Sequence, residues 1–515
     1  MGADDVLART HAFTIDGLRA RRVSVEVDVR PGLPAFTVVG LADAAVREAR
    51  ERIHAAIHNS GFEFPARRVT VNLAPADLPK AGAGLDLAIA CALLGAAGQL
   101  ATERLEHVAL LGELGLDGGV RRSHGTLAVA EATRRAGLTM LVLAATDAHE
   151  AELVDGLQLA VVERLRSAVR VLEGGAPDAR SRRSPRSALA ACAAPRALDL
   201  ADVRGQHHAV RALVIAAAGG HSCLLRGPPG TGKTMLAQRV ASILPPLGRE
   251  EAVEVARIHS LAGARLVGLP RARPFRAPHH SITAAGLIGG AQRGRVGEVV
   301  LAHHGVLFLD ELAEFARATL EALRQPLEDG RVVIVRARHS AVHPTRFMLL
   351  AATNPCPCGY AGEGERCGCS ESEVARHNRR LSGPLLDRMD LVVNLQRSDG
   401  AGLDGAATTS SAAARARVLL ARERQARRLA HEGIAINAHM DVRAVLEHAR
   451  LDARGAELLQ RARAGGLLSA RGEQRALRVA RTIADLNASE RVRAADLGAA
   501  LALRAEAGLG DVRAA

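Results

Sequence analysis

A chain of 515 residues, 48% apolar and 24% charged, is long enough for two to four domains that each bury a core, which excludes a disordered tail and a small cross-linked scaffold. Lys and Arg number 68 against 55 Asp and Glu, but unevenly: residues 1–172 hold 19 basic and 21 acidic groups, net −2, so the rest of the +13 chain is net +15. An anionic partner is expected on the later part, and with eight Phe, one Tyr and no Trp a nucleic acid would be held by its phosphates instead of by stacked bases.

Residues 21–30 alternate Val23, Val25, Val27 and Val29 with Ser24, Glu26 and Asp28, which predicts a half-buried strand. A helix follows, capped by Asp43, ended by Gly61 and packed through Val46, Ile53 and Ile57. Next come a strand at 69–73, a buried helix over 85–97 and a hairpin across 108–120 that turns at Asp117-Gly118-Gly119. Residues 1–172 thus read as an α+β domain and 173–197 as a flexible linker; 198–397 alternates strands with helices, and 412–510 forms a helical C-terminal domain. The acidic start and an uncharged, non-polar stretch no longer than 87–98 predict a cytoplasmic protein without a membrane segment.

The chemistry lies in the third segment. Gly227-Pro228-Pro229-Gly230-Thr231-Gly232-Lys233-Thr234 follows the apolar Cys223-Leu224-Leu225 and precedes a helical stretch, the strand, loop and helix order of a Walker A loop. Its glycines let backbone N–H groups wrap the phosphates of ATP, Lys233 reaches the outer phosphates and Thr234 can ligate Mg2+. Val306-Leu307-Phe308-Leu309 reads as a buried strand ending in Asp310-Glu311. Alone, such a pair is more often a helix cap; behind a Walker A loop it reads as Walker B, with one carboxylate (Asp310) on the metal and the other (Glu311) on the attacking water.

A further strand at 347–352 ends in Thr353-Asn354, an amide placed to hold the lytic water or, in the plainer reading, a strand-ending turn. Arg388, beyond this core, suits insertion into a neighbouring subunit's site. Arg471, followed by Arg475, Arg478 and Arg481, suits a γ-phosphate sensor, against the alternative of a solvated basic helix face. Only Lys80 and Lys233 are lysines; Lys80 either contacts phosphate or completes a loop.

The segments PAFTVVGLADAAVREARERI, VNLAPADLPKAG, DVRGQ, GPPGTGKTMLA, RPFRAPHHSI, LAHHGVLFLDEL, NPCPCGY and LSGPLLDRMDL, spread over almost the whole length, resemble the ComM/YifB family of magnesium-chelatase-like AAA+ ATPases. The resemblance implies a multi-domain fold: an α+β Lon-protease-like N-terminal domain, an α/β P-loop AAA+ core with a parallel sheet, and an α-helical C-terminal lid. It also implies self-association into a ring, expected as a hexamer. Members that serve natural transformation are DNA helicases that drive branch migration, so the implied partner is single-stranded or branched DNA. Val296 departs from the family's Pro before Gly297-Glu298, and the linker is unusually long and Arg-rich. Lon uses a Ser and Lys dyad, but here residues 78–86 lack Ser and residues 122–127 lack Lys. The N-terminal domain is therefore expected to be a scaffold or DNA-handling module, not a peptidase.

A ring motor presents basic loops to its channel. Arg273 and Arg276 in 271–280, and Arg336 and Arg338 at the tip of a hairpin over 331–343, are the candidate DNA contacts; a solvated charged loop is the alternative. His279-His280 and His303-His304 read equally as structural, subunit-contacting or ligand residues. Cys356, Cys358, Cys367 and Cys369 offer four thiolates for a structural Zn2+ braced against Asn354, or form a reduced, unliganded loop. The leading expectation is an ATP-driven DNA motor, a helicase or branch-migration factor. The alternative is the ATPase motor subunit of a metal-chelatase complex; an ATP-dependent protease is disfavoured by the missing dyad, and a non-enzymatic scaffold by the intact Walker residues.

Overall fold

The computed structural model describes residues 7–43, 46, 48–80, 82–178, 198–264, 266, 268–290, 296–336, 339–381, 383–397, 409–466 and 468–505. For 335, 336, 339, 340, 383, 384 and 505 the description covers the backbone only. Two units follow from the contacts: Met1–Cys192 with Arg249–Pro270, and Ala193–Gly248 with Arg271–Ala515.

In the first unit, alternation builds the sheet. Strand β1 (Leu7–Asp16) pairs antiparallel with β2 (Arg19–Arg30), whose four alternating valines are buried. β3 (Ala35–Val39) runs parallel to β4 (Arg68–Ala74), and β4 is antiparallel to β2. On the other side of β1 lies β5 (Val108–Leu111), parallel to it. This corrects the hairpin expected across 108–120. Val108, Ala109, Leu110 and Leu111 are all buried, and a short run buried on both faces belongs inside a parallel sheet. Only β6 (Glu113–Leu114) and β7 (Val120–Arg121) pair as a small hairpin around the Asp117 turn. Strands β8 (Met140–Ala144) and β9 (Gln158–Val162) complete the order β3-β4-β2-β1-β5-β8-β9.

Helices α1 (Ala49–Asn59), α2 (Asp86–Ala96), α3 (Thr126–Arg135) and α4 (Leu165–Leu172) belong to the same unit. Every residue of α2 is buried, including Asp86, which the Arg52 guanidinium meets at 2.8 Å. Burial pushes the Asp86 carboxyl up to about 6, opposed by that arginine. Lys80 is fully buried, its ammonium donating to the Pro75 carbonyl and its backbone bonded to Leu41 and Asp43. Its role here is to complete a loop. The segment Arg249–Pro270, expected within the 198–397 unit, groups with this one instead. Arg257 meets Glu131 at 2.8 Å, and Arg122 donates to the carbonyls of Gly263 and Ala264.

The second unit starts with α5 (His207–Gly219) and then β10 (Cys223–Arg226), which leads through a glycine loop into α6 (Lys233–Ile243). Strands β11 (Phe275–Arg276) and β12 (Val306–Leu309) follow, then a hairpin of β13 (Arg331–Arg336) and β14 (His339–Pro344). β15 (Met348–Thr353), α7 (Glu371–Arg380) and β16 (Leu391–Asn394) close the α/β part. The five-stranded sheet has the order β11-β12-β15-β10-β16, parallel throughout. Every residue of β12 and β15 is buried, the apolar run that a sheet covered on both faces requires.

Among the described residues that follow are the helices α8 (Ser411–Leu429), α9 (Val442–His448), α10 (Ala453–Ala464), α11 (Ala470–Leu486) and α12 (Ala494–Ala505). Side chains of Ser410, Asp441, Asp452 and Ser469 cap the first four, satisfying backbone N–H groups that a helix start leaves open. Among the described residues no helix is long and apolar enough to cross a membrane.

Candidate nucleotide-binding site

In a parallel sheet the loops leaving the carboxyl ends of adjacent strands gather at one edge. Here β12, β15 and β10 are consecutive, so Asp310-Glu311, Asn354 and the 227–234 loop converge although they are far apart in the chain. The loop itself needs glycine: Gly230 and Gly232 take φ of 79° and 83°, and a Cβ at Gly227 would stand 2.5 Å from the Leu395 carbonyl oxygen. A bulkier loop could neither turn this way nor bring its N–H groups close to a phosphate.

The Lys233 ammonium donates to the carbonyls of Gly227 (2.6 Å) and Pro228 (2.8 Å) and to the side-chain oxygen of Asn354 (3.0 Å). Burial pulls its pKa below the ordinary lysine value, opposed by the Asp310 carboxylate. It is therefore a partly desolvated cation among neutral acceptors, the situation an anionic phosphate relieves. The Thr234 hydroxyl donates to Asp310 at 2.6 Å, so two hard oxygens of the kind Mg2+ takes as ligands lie together. The donor set fits ATP and Mg2+.

Glu311 sits just past that carboxylate with a φ of 52°, an uncommon value for a residue with a side chain, and its N–H donates to Asp310 at 2.9 Å. Such strain costs about 1 kcal/mol or more and clusters at working sites. The exposed Glu311 carboxylate lies 3.1 Å from Nδ1 of His280. Asn354 is fixed from behind by His377, a buried imidazole whose Nε2 lies 3.1 Å from the Asn354 carbonyl. Sequence reasoning assigned neither histidine a role here. The His279-His280 pair was at least conspicuous; His377 carried no signal.

Arg388 donates to Glu328 of its own chain, while its carbonyl accepts from Ser222 (2.7 Å) and Arg475 (2.6 Å). Arg471 is exposed in the first turn of α11, just after the Ser469 cap. Arg481 is buried against Asp485 at 2.9 Å. Arg273 donates to the carbonyls of Pro245 and His304, both at 2.8 Å, and Arg276 pairs with Glu298 at 2.7 Å. Both arginines thus tie their loop to neighbouring segments of the same unit. Arg336 is placed only by its backbone at the end of β13, and Arg338 lies outside the described residues. His303 is buried and accepts from the Arg346 N–H at 3.0 Å.

Behind the nucleotide loop, Asp390 accepts from the amide (3.0 Å) and hydroxyl (3.1 Å) of Ser222, faces Arg475 at 3.3 Å and lies 3.6 Å from His221. Burial opposes its ionisation, but His221, Arg475 and the Ser222 amide together hold the carboxyl well below its usual range. Its stabilisation is accordingly present above the unfolded carboxylate value and fades as pH falls below it. Asp390→Ala is expected to cost about 3–5 kcal/mol in urea unfolding at neutral pH, because Arg475 keeps a half-buried charge without its counter-ion; a loss below about 1 kcal/mol would contradict this account.

A glycine-built phosphate loop, a threonine and carboxylate pair and an amide at three adjacent strand ends define a P-loop nucleoside triphosphate site in a parallel α/β core. Residues 199–403 match the family model described as magnesium chelatase, subunit ChlI; residues 25–147 match subunit ChlI of Mg-chelatase, and residues 408–504 the ChlI C-terminal model. YifB of Salmonella typhimurium is 42% identical over 97% of both chains, and competence protein ComM of Haemophilus influenzae 41% identical over 97% of both. The magnesium-chelatase 38 kDa subunit of Acidiphilium rubrum is 29% identical over 29% of this chain and 51% of its own. The chain belongs to the ComM/YifB family of magnesium-chelatase-like AAA+ ATPases.

Proposed function

We propose that this chain is an ATP-hydrolysing ring motor, expected as a hexamer, that acts on single-stranded or branched DNA as a helicase or branch-migration factor in recombination or natural transformation. The observation that carries the ATPase part is the meeting of Lys233, Thr234, Asp310, Glu311 and Asn354 at adjacent strand ends. Thr234 and Asp310 would hold Mg2+, which would supply charge neutralisation at the phosphates. Lys233 exchanges its carbonyl acceptors for phosphate oxygens, Glu311 takes the proton of the attacking water, and Asn354 orients that water. Arg388 serves the neighbouring subunit's site after leaving Glu328, and Arg471 reports on the γ-phosphate. The four cysteines hold a structural zinc.

The DNA part is supported by the net +15 beyond residue 172 and by likeness along the whole chain to a protein named for competence. The proposed DNA contacts are Arg273, Arg276, Arg336 and Arg338, the first two of which are bonded here to Pro245, His304 and Glu298. The buried Lys80 supports a scaffold role for the first unit. A second reading, the motor subunit of a metal chelatase, is favoured by the matches of residues 199–403 and 408–504; the motor core is common to both.

Labelled forked duplexes and four-way junctions distinguish them. On the DNA-motor reading the protein unwinds or migrates them with ATP, and its DNA affinity falls about a hundredfold or more between roughly 50 and 200 mM salt, as several phosphate contacts require. Failure to bind or unwind any of these DNAs would favour the chelatase reading.

A further inference from the structure

We infer that the four-cysteine loop is a metal-dependent latch on the phosphate loop, so that zinc and ATP bind this chain cooperatively. The inference rests on the ATP-binding reading and on zinc at the cysteines, and adds a coupling between them.

The thiol geometry suits one metal ion. Cys356 Sγ lies 3.3 Å from Cys358 Sγ and 3.9 Å from Cys367 Sγ, and Cys358 and Cys367 are 3.7 Å apart. All four sulfurs, Cys369 included, lie within 4.8 Å of one another. A tetrahedron with metal–sulfur bonds of about 2.3 Å has edges of about 3.8 Å, so the set has the size for a single zinc and is too tight for a cluster of several irons. The Ala361 N–H donates to Cys356 Sγ at 3.2 Å, the kind of outer hydrogen bond that orients a ligating thiolate.

The four-cysteine loop and the residues flanking or packed on it touch the nucleotide site in three ways. Gly359 has a φ of 89° and lies so close to the phosphate loop that a Cβ there would stand 2.7 Å from Pro229 Cδ and 3.8 Å from Asn354 Cγ. The Arg397 guanidinium lies 5.8 Å from the Tyr360 ring and 3.9 Å from Glu363, and also 3.9 Å from where a Cβ of Gly230 would be. Asn354, two residues before Cys356, bonds Lys233. Zinc pins both ends of this segment and so presses Gly359 on Pro229. Without the metal, four clustered thiols lose their common centre, the segment spreads, and the phosphate loop loses the wall that fixes its turn.

Coupling of this kind is reciprocal: whatever factor zinc contributes to ATP affinity, ATP contributes to zinc affinity. The test uses the full chain, its zinc content measured by elemental analysis and its affinity for a fluorescent ATP analogue by anisotropy. One zinc per chain is expected. Removing it with a chelator under reducing conditions should weaken the analogue about five- to a hundredfold, with restoration by added zinc and a matching gain in zinc affinity when ATP is present. Gly359→Ala should keep its zinc yet bind the analogue weakly whether zinc is present or absent, and it tests the coupling even if the chelated chain unfolds. No zinc in the protein overturns the metal site, and no analogue binding by the zinc-loaded protein overturns the ATP reading. Zinc and analogue both bound, but each indifferent to the other or to Gly359→Ala, overturns the latch alone.

Discussion

Glu311→Gln is expected to lower the turnover of ATP by about two to four orders of magnitude while leaving ATP affinity within a few-fold, as loss of a general base does. The division of labour between the two Walker B carboxylates gives the reason. Asp310 is committed to Thr234 and to the Glu311 N–H, whereas the exposed Glu311 carboxylate lies beyond the phosphate cradle, 3.1 Å from His280 Nδ1. An amide of the same shape keeps the packing but cannot take a proton from water. Single-turnover hydrolysis and equilibrium binding of an ATP analogue separate the two effects. A matching loss of affinity would mean that Glu311 helps to hold the metal.

Lys233→Ala is expected to fail one step earlier, weakening ATP by at least about a hundredfold, because it removes a charge-assisted donor aimed at the outer phosphates. Its present partners are two loop carbonyls and the Asn354 amide oxygen, none of them charged. The fold should therefore tolerate the change, with a melting temperature within about 3 °C of the parent. Retained affinity would contradict the assignment of the loop.

The phosphate loop was legible in the sequence because its chemistry is contiguous: eight residues between an apolar strand and a helix carry the glycines, the lysine and the threonine. Asp310, Glu311 and Asn354 were legible as strand ends. Their meeting with the loop was expected from the Walker pattern, but not the strand order that brings it about, with β15 between β12 and β10, a property of crossover topology and not of local pattern. Local pattern also misled at 108–120, where a turn signal suggested a hairpin but burial on both faces put Val108–Leu111 inside a parallel sheet. Charge counting marked Arg273 and Arg276 as basic surface; their carbonyl and Glu298 partners lie a turn of the fold away. The cysteine spacing announced a metal loop, whereas the contact of Gly359 with Pro229 joins segments no motif connects. Arg249–Pro270 joined the first unit through the Arg257–Glu131 pair and its companions, contacts invisible to composition.

The central claim, that this ATPase is a motor on DNA, is tested most directly by its steady-state ATP hydrolysis with and without forked and four-way DNA, at low and high salt, beside Lys233→Ala. Stimulation by DNA that fades with salt and vanishes in the variant is the predicted result. Robust hydrolysis that is lost in Lys233→Ala yet indifferent to every DNA would contradict the claim and turn the search towards a protein or metal-chelation partner.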